Sequence, residues 1–362
     1  MADTHAVSHP RHPVFCTIIP PHLLDTLARS ADELLAAVAQ RTLELDAANR
    51  TRRRITTVRG LTGSVVSALT GAAPEEPDRT IHDCEHRTRL PGKKVRAEGS
   101  PPGQDSTVNR VYAGLGATFE LLQKSYGRSS LDGEGLPLIA SVHYDQNYSN
   151  AFWDGEQMVF GDGDGEIFLD FSLPVDVIAH ELAHGLTQYT AKLEYFSQSG
   201  ALNESVSDVI GSLVKQSTLG QTADEADWLI GAGLLAPRVQ GVALRSMKAP
   251  GTAYDDDVLG KDPQPATMDD YVRTGQDNGG VHINSGIPNH AFYLLATELG
   301  GKSWERAGQI WFDTLTGGEL SPDARFAEFA RLTVEAARAR YGEGEEHQAV
   351  LKAWSTVKVP TD

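Results

Sequence analysis

Apolar residues in this chain follow two different periods, and the change between them divides the molecule. Leu24, Leu27, Leu34, Leu35, Val38 and Leu45 recur at near-helical spacing and predict one amphipathic helix from about Leu23 to Ala48. The basic run Arg50-Thr51-Arg52-Arg53-Arg54 then breaks that pattern. Between residues 79 and 170, β-rich runs alternate with turn signals. Ile139 to Tyr144 and Gln157 to Phe160 read as strands, and Val111 to Tyr126 reads as one helix. Gly161-Asp162-Gly163-Asp164-Gly165 resembles a calcium loop, but it lacks the later ligands and closing Glu, so a hairpin turn is expected there. Val175, Val177, Ile178, Ala179, Leu182 and Leu186 predict a helix buried in the middle of the molecule, and residues 203–216 predict a second. Ile287–Leu299, Ser303–Leu315, Pro322–Tyr341 and Glu345–Trp354 continue the helical spacing. The expected class is α+β: a β-rich half, a central helix and an α-helical half, with a cleft between them where sites usually form.

Composition narrows the partners. Lysine and arginine number 32 against 49 aspartates and glutamates, a net charge of −17, which argues against nucleic acid or an anionic membrane. No apolar run reaches the length of a membrane span. The two cysteines, Cys16 and Cys84, are too few for a disulfide framework. Residues 1–12 are polar and read as disordered, with no apolar core of a signal peptide. Residues 60–78 are rich in Gly, Ala, Ser, Thr and Pro and read as a linker. The segment ahead of that linker is too small for a good core, so its apolar patch, Val14 to Leu24, must dock on something.

Candidate chemistry centres on His180-Glu181-Leu182-Ala183-His184. On a helix, the two imidazoles lie one turn apart on one face and can reach a single zinc ion. A catalytic zinc needs a third protein ligand and one open position for water. A third histidine soon after the second is excluded, because Thr190 stands there. Glu204 is the better candidate, with Asp208 four residues on along the same helical face. One carboxylate can bind metal while the other accepts the free ring N–H of a ligating histidine.

Four blocks then carry a resemblance: Asn150-Ala151-Phe152-Trp153, the histidine motif, Gly200-Ala201-Leu202-Asn203-Glu204 through Asp208, and Asp277-Asn278-Gly279-Gly280-Val281-His282-Ile283-Asn284-Ser285-Gly286. From about Arg79 onward the chain resembles the thermolysin-type neutral zinc metallopeptidases, also called M4. Pro20-Pro21-His22-Leu23-Leu24 resembles the short pro-segment of the protealysin subgroup. The resemblance implies zinc on His180, His184 and Glu204. It implies Glu181 as the group that handles the proton of the attacking water, with His282 and Tyr195 donating to the oxyanion. Asp277 would orient His282, and Asp208 would brace His180. Asn150, Ala151 and Arg245 would hold substrate backbone. Phe168, Phe171, Val177, Ile230 and Leu244 would line the specificity pocket, which implies cleavage on the amino side of bulky apolar residues. Trp153 reads as packing, and His143, His290 and His347 as structural or surface residues.

The same resemblance sets the remaining expectations. Residues 1–78 would be pro-segment and linker, 79–195 the β-rich domain and 196–362 the helical domain. The partners would be peptide or protein substrates and the chain's own pro-segment, with a monomer expected. Family members usually act outside the cell, so export by a route without a classical leader is expected, with a cytoplasmic enzyme as the alternative. A non-processed relative that binds or regulates peptides is the competing function, yet no ligand and no Glu181 is lost. Many members hold paired calcium ions on five carboxylates. Here Asp176 and Asp227 survive, while Lys215, Leu229 and Ala232 stand at the other three positions, so that site is expected to be absent, with Lys215 pairing to the aspartates. Cys16 stays open: a zinc-ligating thiolate that enforces latency, or, preferred from the sequence, a buried packing cysteine.

Overall fold

A computed structural model describes residues 16–60 and 73–362, so the polar terminus at 1–12 and most of the linker lie outside the described residues. Strand β1, Cys16–Thr17, comes first. Helix α1, Pro21–Leu27, opens on a proline, whose missing N–H costs nothing in a first turn. The single helix expected from Leu23 is in fact two. Asp32 Oδ1 accepts from the backbone N–H of Leu34 at 3.0 Å and of Leu35 at 3.3 Å, and this cap starts α2, Glu33–Gly60. The basic run does not end α2, because arginine is a good helix former. Arg53 is buried and its Nη2 donates to Gln188 Oε1 at 2.6 Å.

The other strands of the main sheet are β2 (Arg79–Arg87), β3 (Lys93–Ala97), β4 (Leu138–Tyr144), β5 (Ala151–Trp153) and β6 (Met158–Phe160). With β1 they form a six-stranded sheet ordered β1-β5-β6-β4-β2-β3. β1 lies antiparallel on β5, with Cys16 opposite Trp153 and Thr17 opposite Phe152. The N-terminal segment thus supplies the edge of a sheet built mainly from later chain. Helix α3, Ser106–Tyr126, is capped by Asp105, which accepts from Val108 N–H at 3.1 Å, and it ends at Gly127 in the left-handed region.

The hairpin turn is displaced from its expected place. Asp154 accepts from the N–H groups of Glu156 and Gln157, both at 2.9 Å, and closes the β5–β6 turn. The Gly161–Gly165 run instead leaves the sheet as a loop. Asp164 Oδ1 takes the N–H groups of Glu166, Ile167 and Phe168, and Asp162 pairs with His143. His143 donates from both ring nitrogens, to Asp162 at 2.8 Å and Asp105 at 2.9 Å, which is possible only for the imidazolium. Those two carboxylates outweigh burial and lift it to about 9. It therefore ties the sheet to the start of α3.

Helix α4, Val175–Tyr189, is buried without interruption from Asp176 to Thr187, as its all-round apolar pattern requires. Helix α5, Ser197–Leu219, packs along it. Gly211 makes this closeness possible, since a Cβ there would stand 2.6 Å from the backbone oxygen of Asp176. The short strands β7 (Leu229–Ile230) and β8 (Arg245–Ser246) pair Ile230 with Arg245. The rest is helical: α6 (Asp277–Asn284), α7 (Gly286–Leu299), α8 (Ala307–Thr316), α9 (Phe326–Tyr341) and α10 (Glu345–Thr356). Helices α8 and α9 each start four residues later than their apolar spacing suggests, after turns such as Ala324 N–H to Ser321 O. Trp311 stacks on Trp354 at 5.6 Å, with Phe292 and Phe329 edge-on to this pair, and they anchor the helical half.

Candidate functional site

Side-by-side packing of α4 and α5 brings the two halves of the ligand set together. The Nε2 atoms of His180 and His184 lie 3.1 Å apart. Glu204 Oε2 is 3.5 Å from His180 Nε2, and Glu204 Oε1 is 3.7 Å from His184 Nε2. The outer ring nitrogens are engaged: His180 Nδ1 meets Asp208 Oδ1 at 2.7 Å, and His184 Nδ1 meets Asn203 Oδ1 at 2.8 Å. Each Nδ1 facing an oxygen acceptor carries hydrogen, so both Nε2 lone pairs point into one space. Such convergence calls for a cation. Asp208 and Glu204 overcome burial and raise His180 to about 9, while burial chiefly lowers His184 to about 3. Among the described residues, Glu204 Oε2 and both oxygens of Glu181 are buried with no hydrogen-bond partner. Two nitrogens and a carboxylate converging with spare lone pairs suit a tetrahedral zinc.

Cys16 completes this cluster. Its Sγ and the ligand atoms of His180, His184 and Glu204 all lie within 4.8 Å of one another, and all four residues are buried. The thiol donates to Glu204 Oε1 at 2.7 Å and sits 2.9 Å from the Tyr195 hydroxyl. Cys16 is buried beside Tyr195 and Val281, as a packing cysteine would be, and its polar partners are also groups of the site.

Around the cluster, Tyr195 donates to Glu204 and lies 3.2 Å from His282 Nε2. Asn278, Gly279 and Gly280 run through positive φ, which turns Asp277 back onto the following turn. Asp277 Oδ2 accepts the N–H of His282 at 2.8 Å, and Oδ1 takes Nδ1 at 2.6 Å. Against burial, Asp277 and Glu204 raise the pKa of His282, which favours a donor at Nε2. Arg245 grips Asp208 with Nε and Nη2, both at 2.8 Å, and Asn289 Nδ2 donates to Asp208 Oδ2 at 2.8 Å. Against burial, Arg245 and His180 hold Asp208 well below the usual carboxylate range.

The cleft is filled by the chain's own N-terminal segment. Ile18 N–H donates to Ala151 O at 3.1 Å. Arg245 Nη1 donates to Ile18 O at 3.2 Å. Asn150 accepts Ile19 N–H at 2.9 Å and donates to Ile19 O at 3.4 Å. Phe168, Phe171, Val177, Ile230 and Leu244 are all buried in one apolar cluster with Ile18, Ile19, Leu23 and Leu24. Asp46 of α2 reinforces the docking, accepting from the Tyr148 hydroxyl and from Asn150 Nδ2.

Residues 74–188 match the thermolysin metallopeptidase catalytic domain, and residues 191–359 match its alpha-helical domain. The chain belongs to the thermolysin metallopeptidase family. It is a metalloendopeptidase of that family, 51% identical to an extracellular metalloprotease of Pectobacterium carotovorum subsp. carotovorum over 95% of this chain and 96% of the relative. Protease PrtS of Photorhabdus sp. (strain Az29) is 46% identical over 94% and 91%. The solved precursor of protealysin, a metalloproteinase from Serratia proteamaculans, superposes with a TM-score of 0.86 at 50% identity, over 95% of this chain and 99% of that one. The expected fold, a β-rich N-terminal region and a helical C-terminal domain, is the family fold.

All residues singled out from the sequence as ligands, acid–base groups or oxyanion donors meet in this one place. His290 and His347 lie elsewhere: His290 Nδ1 contacts Ala266 O and His347 contacts Gln348. Sequence spacing does not single out Asn203, Ser207, Asn289 or Gln264. Ser207 Oγ lies 3.1 Å from His184 Nδ1, and Gln264 Nε2 donates to His282 O at 2.7 Å. Asn203 stands beside Glu204 in a motif block, which is a usable signal; Asn289 and Gln264 carry none. Lys215 pairs with both aspartates as expected, at 3.2 Å from Asp176 and 2.8 Å from Asp227.

Proposed function

We propose that this chain is the precursor of a zinc endopeptidase that cuts on the amino side of bulky apolar residues, with residues 1–78 as its inhibitory segment. The observation that carries this reading is the backbone of Ile18 and Ile19, held by Ala151, Arg245 and Asn150 beside His180, His184 and Glu204. His180, His184 and Glu204 would hold the metal. Zinc, when bound there, supplies Lewis acidity toward a carbonyl and lowers the pKa of water. Glu181 takes the proton of the attacking water and returns it to the leaving nitrogen. Burial pushes the Glu181 carboxyl up, while the His180 and Arg245 charges pull it down. His282 and Tyr195 donate to the developing oxyanion, Asp277 orients His282, and Asp208 braces His180. The apolar walls of Phe168, Phe171, Val177, Ile230 and Leu244 select the side chain that follows the cut. We divide the enzyme at residues 79–195 and 196–362, and assign it to the extracellular space as a monomer, like the extracellular relatives in location.

One zinc and no calcium per matured chain is the expected result of elemental analysis. Lys215 supports the second half, since its ammonium stands between the two aspartates that would have to bind calcium. Cut sites mapped on a denatured protein should fall before Leu, Ile, Phe and Val, and should vanish on chelation and return with zinc. Cuts that persist without metal, or that follow basic residues, would refute the assignment.

Asp46 gives the docked segment a pH dependence. Burial, against the bonds from Tyr148 and Asn150, pushes its carboxyl up to about 7. An undocked aspartate titrates near ~4. The docked state therefore binds the proton more tightly. Its contribution is complete below about pH 4 and is lost as pH rises through about 7, a few kcal/mol at most by linkage. In a Glu181→Gln background, thermal midpoints of the precursor should fall between these values. The added change Asp46→Asn should flatten that slope; an unchanged slope would show that other groups set it.

A further inference from the structure

We infer that Cys16 is what makes a bound substrate an inhibitor: its sulfur takes the fourth zinc position while Thr17–Ile18 lies in the register of a bond to be cut. This rests on the proteolytic reading above and adds the bond and the blocking atom.

The register follows from four contacts. Ile18 N–H lies on Ala151 O, Ile18 O lies on Arg245, and Ile19 is held through both backbone groups by Asn150. Ile18 is fully buried in the apolar cluster that includes the specificity-pocket residues. An enzyme that cuts before an apolar residue held this way would cut between Thr17 and Ile18. The Thr17 carbonyl agrees, since its oxygen stands 3.0 Å from His282 Nε2, the donor assigned to the oxyanion. Ala151, Asn150, Arg245 and His282 are thus all engaged with this stretch.

Hydrolysis of that bond would add water oxygen to the Thr17 carbonyl carbon, with Glu181 taking a water proton. The C–N bond to Ile18 would break, and the proton would pass to the Ile18 nitrogen. No redox change or co-reactant is required. What opposes it is one residue away. Cys16 Sγ sits among the ligand atoms, 2.7 Å from Glu204 Oε1 and 2.9 Å from the Tyr195 hydroxyl. Glu204 Oε2, buried and without a hydrogen-bond partner, marks the same space as a cation site independently of the thiol. A thiolate is a good zinc ligand at this position, and metal binding displaces the thiol proton. With sulfur there, attacking water has no place beside the Thr17 carbonyl. Thr17 Oγ also donates to Ile19 O at 3.0 Å, which holds the short strand in this shape.

The full-length chain reconstituted with cobalt(II) provides one test. Wild type should show a sulfur-to-cobalt charge-transfer band in the near ultraviolet, and Cys16→Ser should lose it. A wild-type spectrum without that band would overturn the inference, whatever the variant does. Intact mass and N-terminal sequencing provide the other. Cys16→Ser with zinc should release a fragment ending at Thr17 and a chain beginning at Ile18, and Cys16→Ser/Glu181→Gln should stay whole. If Cys16→Ser hydrolyses an added peptide yet leaves Thr17–Ile18 intact, the register is wrong and the proteolytic reading survives. If neither bond nor peptide is cut by the zinc-loaded variant, both readings fall.

Discussion

Glu181→Gln is expected to lower kcat/KM on a peptide substrate by at least about 10²–10⁴-fold, with zinc content unchanged. Glutamine keeps the shape of the side chain but can neither take a proton from water nor return one. Glu181 lies on α4 between the two histidines in sequence, fully buried, and among the described residues neither of its oxygens has a close hydrogen-bond partner. The loss should therefore fall mainly on chemistry. Because a buried carboxylate without a partner costs stability, the variant should unfold at the same or a higher temperature than wild type. Steady-state kinetics on the matured enzyme, with metal analysis and a thermal melt, check all three points. Retention of more than a tenth of the activity would remove Glu181 from the proton path.

Arg245→Met carries the largest expected loss of stability, about 3–5 kcal/mol. The arginine makes two parallel bonds to Asp208, which is itself fully buried beside His180. Methionine restores much of the apolar volume but leaves a buried carboxylate short of its main counter-charge. Asn289 and His180 still contact Asp208, which is why the loss stays below that of a bare buried ion. Denaturant unfolding measures the cost, and the double change Arg245→Met/Asp208→Asn should recover part of it, since the two residues act as one unit. A single-variant loss under about 1 kcal/mol would mean that water or rearrangement satisfies Asp208. The same variant should also hold its own N-terminal strand less firmly, because Arg245 Nη1 holds the Ile18 carbonyl.

The sequence alone determined what depends on neighbours along the chain. Two histidines four residues apart must share a helix face, and an unbroken apolar surround must bury that helix; α4 is buried from Asp176 to Thr187 for that reason. The motif blocks carried the family, and Lys215 between two aspartates was legible as a charge count. Helix caps were less so. Asp32 divides α1 from α2 by a local bond that apolar spacing does not register, and the same is true of Asp154 and Asp164 in the turns. Only the tertiary structure decided which distant groups meet. Cys16 reaches Glu204 across 188 positions of chain, and Asp208 gathers His180, Arg245 and Asn289 from three separate elements. Periodicity reports which face of an element is buried; it does not report what lies opposite. That choice is made by helix packing, here by Gly211 letting α5 close on α4, and by β1 adding itself to the edge of β5.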